Sequence, residues 1–174
     1  EISKTLSYSP KTVETPLGEA EIMMYDDEVV VATILRAGLP FHHGFLNYFD
    51  NAPNAFVSAY RKHHKNGTFN VKVEYISCGD LTGKTLLLVD PMLATGSSFV
   101  LAYKALEEKG GKPKHLHIAA AIGSDEGVEY VKKHLSPSRT TIWCGAVDEE
   151  LTAQSYIVPG LGDAGDLAFG EKLE

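Results

Sequence analysis

The sequence KTLLLVDPMLATGSS, at residues 84–98, joins a short apolar run to a turn rich in small and hydroxyl residues. Its first part, Lys84 to Asp90, predicts a strand buried on both faces, because a continuous aliphatic run fits the middle of a parallel sheet. Residues from Phe99 to Lys109 then have helical spacing, and Gly110 and Gly111 follow as a helix-ending signal. This strand, turn and helix predict one unit of an α/β fold.

Similar units lie on both sides of this stretch. Helices are predicted over Leu39 to Phe49 and over Ser124 to Leu135, the latter with Ser124 as its N-cap. Further strands are predicted at residues 29–35, 55–60, 71–76, 115–122 and 140–147. Alternating strands and helices predict an α/β fold with a mostly parallel sheet flanked by helices, in a single domain over residues 1–174. Ligands of such sheets bind at the carboxyl ends of the strands.

Composition narrows the classes of function. Apolar residues make up 44% of the 174 residues, charged residues 22%, and the net charge is −7. An acidic chain is a poor non-specific binder of nucleic acid, which requires Lys and Arg to neutralise phosphates. The two cysteines, Cys78 and Cys144, have no metal-ligand spacing, and no apolar run reaches the roughly 18 residues of a membrane span. We therefore expect a cytoplasmic protein with no nucleic-acid or membrane partner.

The turn at residues 90–98 is a candidate anion site. Backbone N–H groups between a strand and a helix face a bound phosphate, and the helix N-terminus is positive. Thr95, Ser97 and Ser98 add hydroxyl donors, and Asp90 ends the strand where a ribose or a cation would lie. The segment lacks the GxxxxGK pattern of ATP-hydrolysing proteins. The alternative on these residues alone is an ordinary helix N-cap made by Ser97 or Ser98.

Two arginines follow predicted strands, and residues 155–166 are too irregular for a strand or helix. Arg36 comes after residues 29–35 and Arg61 after residues 55–60, and each is either a phosphate ligand or a solvated strand end. Residues 155–166 read SYIVPGLGDAGD. Their glycines permit a positive φ and a close approach of the main chain to a ligand, although a surface loop would have the same composition.

Together these segments resemble the uracil phosphoribosyltransferases, a type I phosphoribosyltransferase family. DPMLATGSS at residues 90–98 resembles the family's PRPP loop, LRAG at 35–38 and YR at 60–61 resemble its arginine segments, and YIVPGLGDAGD at 156–166 resembles its uracil-binding segment. The resemblance implies a type I phosphoribosyltransferase fold with a small C-terminal hood over the base. It also implies transfer of the phosphoribosyl group of PRPP to uracil, giving UMP and pyrophosphate in pyrimidine salvage.

The resemblance implies a role for each matching residue. Catalysis is expected from Asp90, Asp163, Arg36 and Arg61. PRPP contacts are expected from Arg36, Arg61, Asp90, Pro91, Met92, Leu93, Ala94, Thr95, Gly96, Ser97, Ser98 and Asp163. Uracil is expected to bind main-chain groups of Ile157, Gly162, Asp163 and Ala164, whose fixed donors and acceptors complement its edge. Asp163 is the candidate for accepting the uracil N1 proton or for stabilising positive charge.

The resemblance extends to cofactor and partners. Mg²⁺ is expected to be carried mainly by PRPP, with no direct protein ligand. A homo-oligomer is expected, and GTP is an effector of some members. The chain departs from the usual pattern at Ser97 and at Leu167, where many members have glycine and arginine. The family has an additional N-terminal helical arm, and Glu1 to Leu6 resemble the end of a helix, so we expect a segment before Glu1.

Three other functions stay open on the sequence. A non-catalytic sensor would keep the fold and bind uracil or UMP, but Arg36, Arg61 and Asp90 are all present. An RNA-binding regulator with the same activity would need a basic face, which the net charge of −7 disfavours. A purine phosphoribosyltransferase does not match the C-terminal segment.

Overall fold

The computed structural model describes residues 1–63 and 69–172, with side chains described for 1–58 and 73–172. Among the described residues the strands are β1 (Tyr8–Thr15), β2 (Gly18–Tyr25), β3 (Val29–Leu35), β4 (Asn54–His63), β5 (Phe69–Ser77), β6 (Thr85–Val89), β7 (Met92–Leu93), β8 (His115–Ser124), β9 (Thr140–Asp148), β10 (Glu150–Leu151) and β11 (Ile157–Val158). The helices are α1 (Leu39–Leu46), α2 (Ser97–Gly110), α3 (Asp125–His134) and α4 (Ala164–Phe169), with a 3₁₀ turn at Ile2–Thr5.

One sheet of seven strands forms the centre of the molecule. Its hydrogen-bonded order is β5-β4-β3-β6-β8, with β9 on the other side of β8, and every pair is parallel except β4 with β5. The short β7 continues the line of β6 beside β8 after a break at Asp90 and Pro91. The break therefore opens in the middle of the sheet, at the carboxyl end of β6.

Apolar side chains bury both faces of this sheet. Leu86 and Leu88 of β6 face α2 and α3, where they join Phe99, Leu106 and Val131 in one buried cluster. The alternate residues of the strands, including Val31, Leu87 and Val89, face the side of α1, where Phe49 and Leu6 are buried with them. This two-faced burial explains the continuous apolar runs in the sequence. Among the described residues, no helix has the length and apolarity that crossing a membrane would require.

The predicted parallel sheet with flanking helices is confirmed, and several boundaries match. β3 has the predicted bounds, and the Ser124 side chain caps α3 as expected. Helix α1 was predicted to extend to Phe49 but ends at Leu46, where the turn formers Asn47, Asp50 and Asn51 follow. The stretch from Glu1 to Leu6, predicted to resemble the end of a helix, contains a 3₁₀ turn at Ile2–Thr5 and no α-helix.

The antiparallel hairpin of β1 and β2 was not predicted. It pairs over eight residues on each strand, from Tyr8 with Tyr25 to Thr15 with Gly18, and nearly all of these residues are exposed. Its strands therefore lack the one-sided apolar alternation by which half-buried strands are recognised. A second small hairpin, β10 with β11, precedes α4, and these elements form the C-terminal hood.

Candidate active site

The predicted segments meet at the carboxyl end of the sheet. Strands β3 and β6 are neighbours, and Thr33 lies opposite Val89. Arg36 and Asp90 consequently leave the same edge on adjacent strands. A pocket of about 440 Å³ opens between Ala37, the start of α1, Pro91 and the hood residues Leu161 and Ala164. The structure thus brings together around one pocket the first arginine segment, the Asp-Pro break and the segment at residues 156–166.

The turn after β3 is held by a contact that only glycine permits. A Cβ on Gly38 would lie 2.0 Å from Thr33 Oγ1 and 2.7 Å from the Ile34 carbonyl oxygen. The buried Thr33 hydroxyl donates to the Val89 carbonyl, at 3.0 Å. The turn that carries Arg36 is therefore packed directly against the end of β6, which carries Asp90.

Arg36 reaches across to the hood. Its Nη2 donates to Asp166 Oδ1 at 2.7 Å and to the Gly170 carbonyl at 2.8 Å. The guanidinium also lies over the ring of Phe169, 5.9 Å from the ring centroid. The Arg36 side chain is still about one-third exposed with these contacts in place. It joins the sheet to the hood by charge and not by packing alone.

Asp90 is a carboxylic acid that folding removes from water. It is 9% exposed, and its Oδ1 accepts the backbone N–H of Met92 at 3.0 Å. Burial raises the pKa of Asp90 to about 7, and the Met92 hydrogen bond lowers it only partly. A buried carboxylate of this kind is stabilised by any cation or hydroxyl donor that enters the site.

The loop after Asp90 leaves the N-terminus of α2 free for an anion. The N-cap is Gly96, with φ +75°, and it has no side chain with which to cap the first-turn amides. Ser97 is the first helical residue, and its hydroxyl lies 2.8 Å from that of Thr95. The alternative that Ser97 or Ser98 serves as the N-cap is therefore wrong. Leu93 was predicted to contact PRPP, but its side chain is fully buried in the core. Only its main chain could contact a ligand.

The hood places Asp163 at the start of α4. Its Oδ1 accepts the Asp166 N–H at 3.0 Å, and its Oδ2 pairs with Lys172 Nζ at 3.2 Å. Burial opposes ionisation of Asp163, but the Asp166 hydrogen bond and Lys172 outweigh it and hold its pKa below the usual value. This environment favours the ionised form of Asp163.

Ile157 and Gly162 are two further predicted uracil-binding residues of the segment at residues 156–166. The side chain of Ile157 is buried, so its main chain is fixed. Gly162 has φ +82° and open space where a Cβ would stand. Such a residue allows a flat ligand to approach the main chain closely. Arg61 was predicted to contact PRPP, but its side chain lies outside the part of the chain whose side chains are described.

Comparison with known proteins agrees with the geometry. The family model for uracil phosphoribosyltransferase matches residues 1–171. A uracil phosphoribosyltransferase of Porphyromonas gingivalis is 60% identical over 173 residues, which are 99% of this chain and 79% of that protein. The chain belongs to the uracil phosphoribosyltransferase family. The resemblance to this family is thereby confirmed.

Solved structures share the fold of this uracil phosphoribosyltransferase family member. The structure of the AQ2163 protein from Aquifex aeolicus superimposes with a TM-score of 0.86 at 30% identity, covering 98% of this chain and 79% of that one. A hypoxanthine phosphoribosyltransferase from Staphylococcus aureus has a TM-score of 0.50 at 16% identity, covering 72% of this chain and 65% of that chain. The latter shows the common fold only. The predicted type I phosphoribosyltransferase fold is confirmed.

Two charged residues of the family member's site were not predicted from the sequence. Asp166 pairs with Arg36, and Lys172 lies 3.2 Å from Asp163 and 3.9 Å from Asp166. Asp166 lies within the segment at residues 156–166, so its charge in that position was a signal in the sequence. Lys172 lies beyond any motif, so the sequence carried no signal for its role.

Proposed function

We propose that this chain transfers the phosphoribosyl group of PRPP to uracil, giving UMP and pyrophosphate, at the site described above. As a member of its family it is a pentosyl-transferring enzyme. The observation that carries the proposal is the pocket shared by Ala37, Pro91 and Ala164, which belong to the segments at residues 35–38, 90–98 and 156–166. A reaction that joins a base to a phosphorylated sugar needs these two binding sites to face each other.

PRPP would lie along the edge formed by the arginine turn and the loop from Asp90 to Ser98. Arg36 would hold pyrophosphate oxygens with its planar fork, as would Arg61. The uncapped start of α2 and the hydroxyls of Thr95 and Ser97 would receive the 5′-phosphate. Asp90 would accept hydrogen bonds from ribose hydroxyls. Holding both substrates and stabilising the charge of the leaving pyrophosphate are the tasks left to the protein.

Mg²⁺ fits the acidic side of this site. Asp90 is buried with a single backbone donor on its carboxylate, an environment that a nearby cation would stabilise. The ion supplies charge neutralisation on the leaving pyrophosphate, and PRPP oxygens would be its main ligands. Asp163, held ionised, would face the positive charge that develops on the sugar.

GTP is an effector of some members of the family. Its effect on this chain would be tested by adding it to the UMP-formation assay.

The hood would bind uracil through the main chain of Ile157, Gly162, Asp163 and Ala164. Peptide groups cannot exchange donor for acceptor, and cytosine changes both the N3 and the C4 position of the base edge. Each unpaired buried group costs about 1–3 kcal/mol. Sites built on such hydrogen bonds discriminate by roughly 10⁴-fold or more.

The test is UMP formation from uracil, PRPP and Mg²⁺, with 5-fluorouracil and cytosine as alternative bases. We expect turnover with the first two bases, strong rejection of cytosine, and loss of activity in excess EDTA. Cytosine turnover within about tenfold of uracil would contradict the main-chain site. Absence of UMP under every condition would contradict the reaction.

We also propose that the enzyme works as a homo-oligomer in the cytoplasm. Two free thiols, Cys78 and Cys144, suit a reducing compartment. The hairpin of β1 and β2 exposes Ile22, Met23 and Met24, which are between 43% and 63% accessible. A two-stranded hairpin is marginally stable on its own in water, so an apolar surface on a second copy would stabilise it.

A further inference from the structure

The junction of β8 and α3 contains a fully buried hydroxyl that joins α3 to the phosphate loop. Ser124 has 0% exposure. Its Oγ accepts the Gly127 N–H at 2.9 Å, which caps α3, and donates to the Ala94 carbonyl at 2.5 Å. A hydroxyl has one proton and two lone pairs, so it can form both bonds at once. Ser124 therefore connects the loop to an element that carries none of the proposed ligands.

Two glycines keep this junction free of side chains. A Cβ on Gly127 would lie 2.2 Å from the Ala94 carbonyl oxygen and 2.8 Å from that of Leu93. A Cβ on Gly96 would lie 2.6 Å from the Gly127 carbonyl oxygen, and Gly96 already needs its φ of +75°. The first turn of α3 and the loop are thus in backbone contact, and a small movement of one displaces the other.

The Ser124 bond fixes the direction of one peptide plane. The peptide between Ala94 and Thr95 is trans, so its C=O and N–H point in opposite directions. With the Ala94 carbonyl held toward Ser124, the Thr95 N–H points away from α3. The loop is then set to offer that N–H, beside the Thr95 hydroxyl, to a ligand on its open side.

We propose that Ser124 is a positioning residue for PRPP: its hydroxyl holds the 94–95 peptide so that the loop's N–H groups face the 5′-phosphate. This inference rests on the proposed function of the loop from Asp90 to Ser98. Ser124 itself does not touch the substrate. Its removal weakens PRPP binding through the loop and leaves the uracil site in the hood unchanged.

Three substitutions separate this role from helix capping. Asn and Asp both accept the Gly127 N–H as good N-caps. Ser124→Asn also keeps a donor for the Ala94 carbonyl, whereas Ser124→Asp keeps one only while its carboxyl is protonated, so the variants are compared at pH 8 or above. Ser124→Ala loses both bonds. We expect the KM for PRPP to rise about tenfold or more in the Ala and Asp variants, because both lose the bond to the Ala94 carbonyl. It should stay within about threefold in the Asn variant, which keeps that bond.

The KM for uracil is measured in the same variants and should change by less than about twofold. Leu116→Val is the structural control, because it removes a buried methylene at the far end of β8. It should lower the melting temperature without a selective effect on PRPP. Equal rises of both KM values, or an Asn variant as impaired as the Asp variant, would overturn the proposal.

Two further variants keep the test decisive. If Ser124 variants do not fold, Gly127→Ala perturbs the same carbonyl, and an unchanged KM for PRPP in that variant would overturn the proposal. Thr95→Val tests the loop itself. If it raises the KM for PRPP while Ser124→Ala and Ser124→Asp do not, the positioning role is wrong and the loop's function stands. If the wild-type chain makes no UMP, the proposed function fails first.

Discussion

The burial of Asp90 sets the stability of the fold against the function proposed for this carboxylate. Burial raises its pKa from 3.8 to about 7, so the folded state favours the protonated acid. The stabilising effect of the neutral form is present below pH 3.8 and is lost as the pH rises to 7. Above that, the ionised carboxylate destabilises the fold by up to about 4 kcal/mol. A ligand cation or a donor from ribose would offset this cost.

Asp90→Asn should therefore nearly abolish UMP formation and stabilise the protein without ligand at pH 8. The amide has nearly the same shape and keeps an acceptor for the Met92 N–H, but it has no charge to desolvate. The free energy of unfolding of variant and wild type, measured by urea titration from pH 4 to 8, should diverge as the pH rises. A variant that is less stable at every pH, or that keeps the wild-type rate, would contradict this account.

Arg36 has two sets of acceptors, one in the hood and one on the proposed pyrophosphate. Arg36→Ala should raise the KM for PRPP by roughly 30-fold to several thousand-fold, because losing a charged donor from a desolvated phosphate costs roughly 2–5 kcal/mol. Arg36→Lys should restore only part of this loss, since a lysine has no planar fork. Arg139→Lys, at the opposite end of the sheet before β9, is the control. Kinetics with PRPP as the varied substrate provide the measurement.

At the scale of elements, the sequence predicted what burial determines. Runs such as 29–35 and 84–90 are apolar because both faces of the sheet are covered, and both strands lie where they were predicted. The positions of Asp90 and Arg36 at strand ends followed from the same pattern. The hairpin of β1 and β2 escaped prediction because it buries almost nothing within this chain.

The contacts that join elements were also beyond the sequence. Arg36 with Asp166, and Ser124 with Ala94, are separated by 130 and 30 residues. No local pattern sets such pairs, because they depend on how the sheet brings distant turns together. The recognised motifs located the segments, and only the fold shows which atoms within them meet.

The turn between β3 and α1 gives a test at this scale. Gly38→Ala should weaken both stability and PRPP use, because its Cβ would displace the Thr33 hydroxyl from the Val89 carbonyl. A lost buried hydrogen bond and the accompanying strain predict a destabilisation of about 1–3 kcal/mol. Gly44→Ala, inside helix α1 with open space where its Cβ would lie, should instead stabilise by roughly 0.5–1 kcal/mol. Thermal unfolding and the KM for PRPP distinguish the two; equal effects would contradict the packing argument.

At the scale of the whole molecule, the hairpin of β1 and β2 exposes apolar side chains that this chain does not itself bury. Ile22 and Met24 lie on the same face of β2, since residues two apart in a strand point the same way, and they are 45% and 43% exposed. If a second copy covers that face, charges placed there would have to be desolvated in the interface. Ile22→Lys with Met24→Lys should therefore lower the mass measured by light scattering from an oligomer to a monomer at equal concentration. Tyr75→Lys, an exposed aromatic on β5, should leave the mass unchanged. A wild-type chain that is monomeric at all micromolar concentrations, or a double variant of unchanged mass, would show that the hairpin is not the interface.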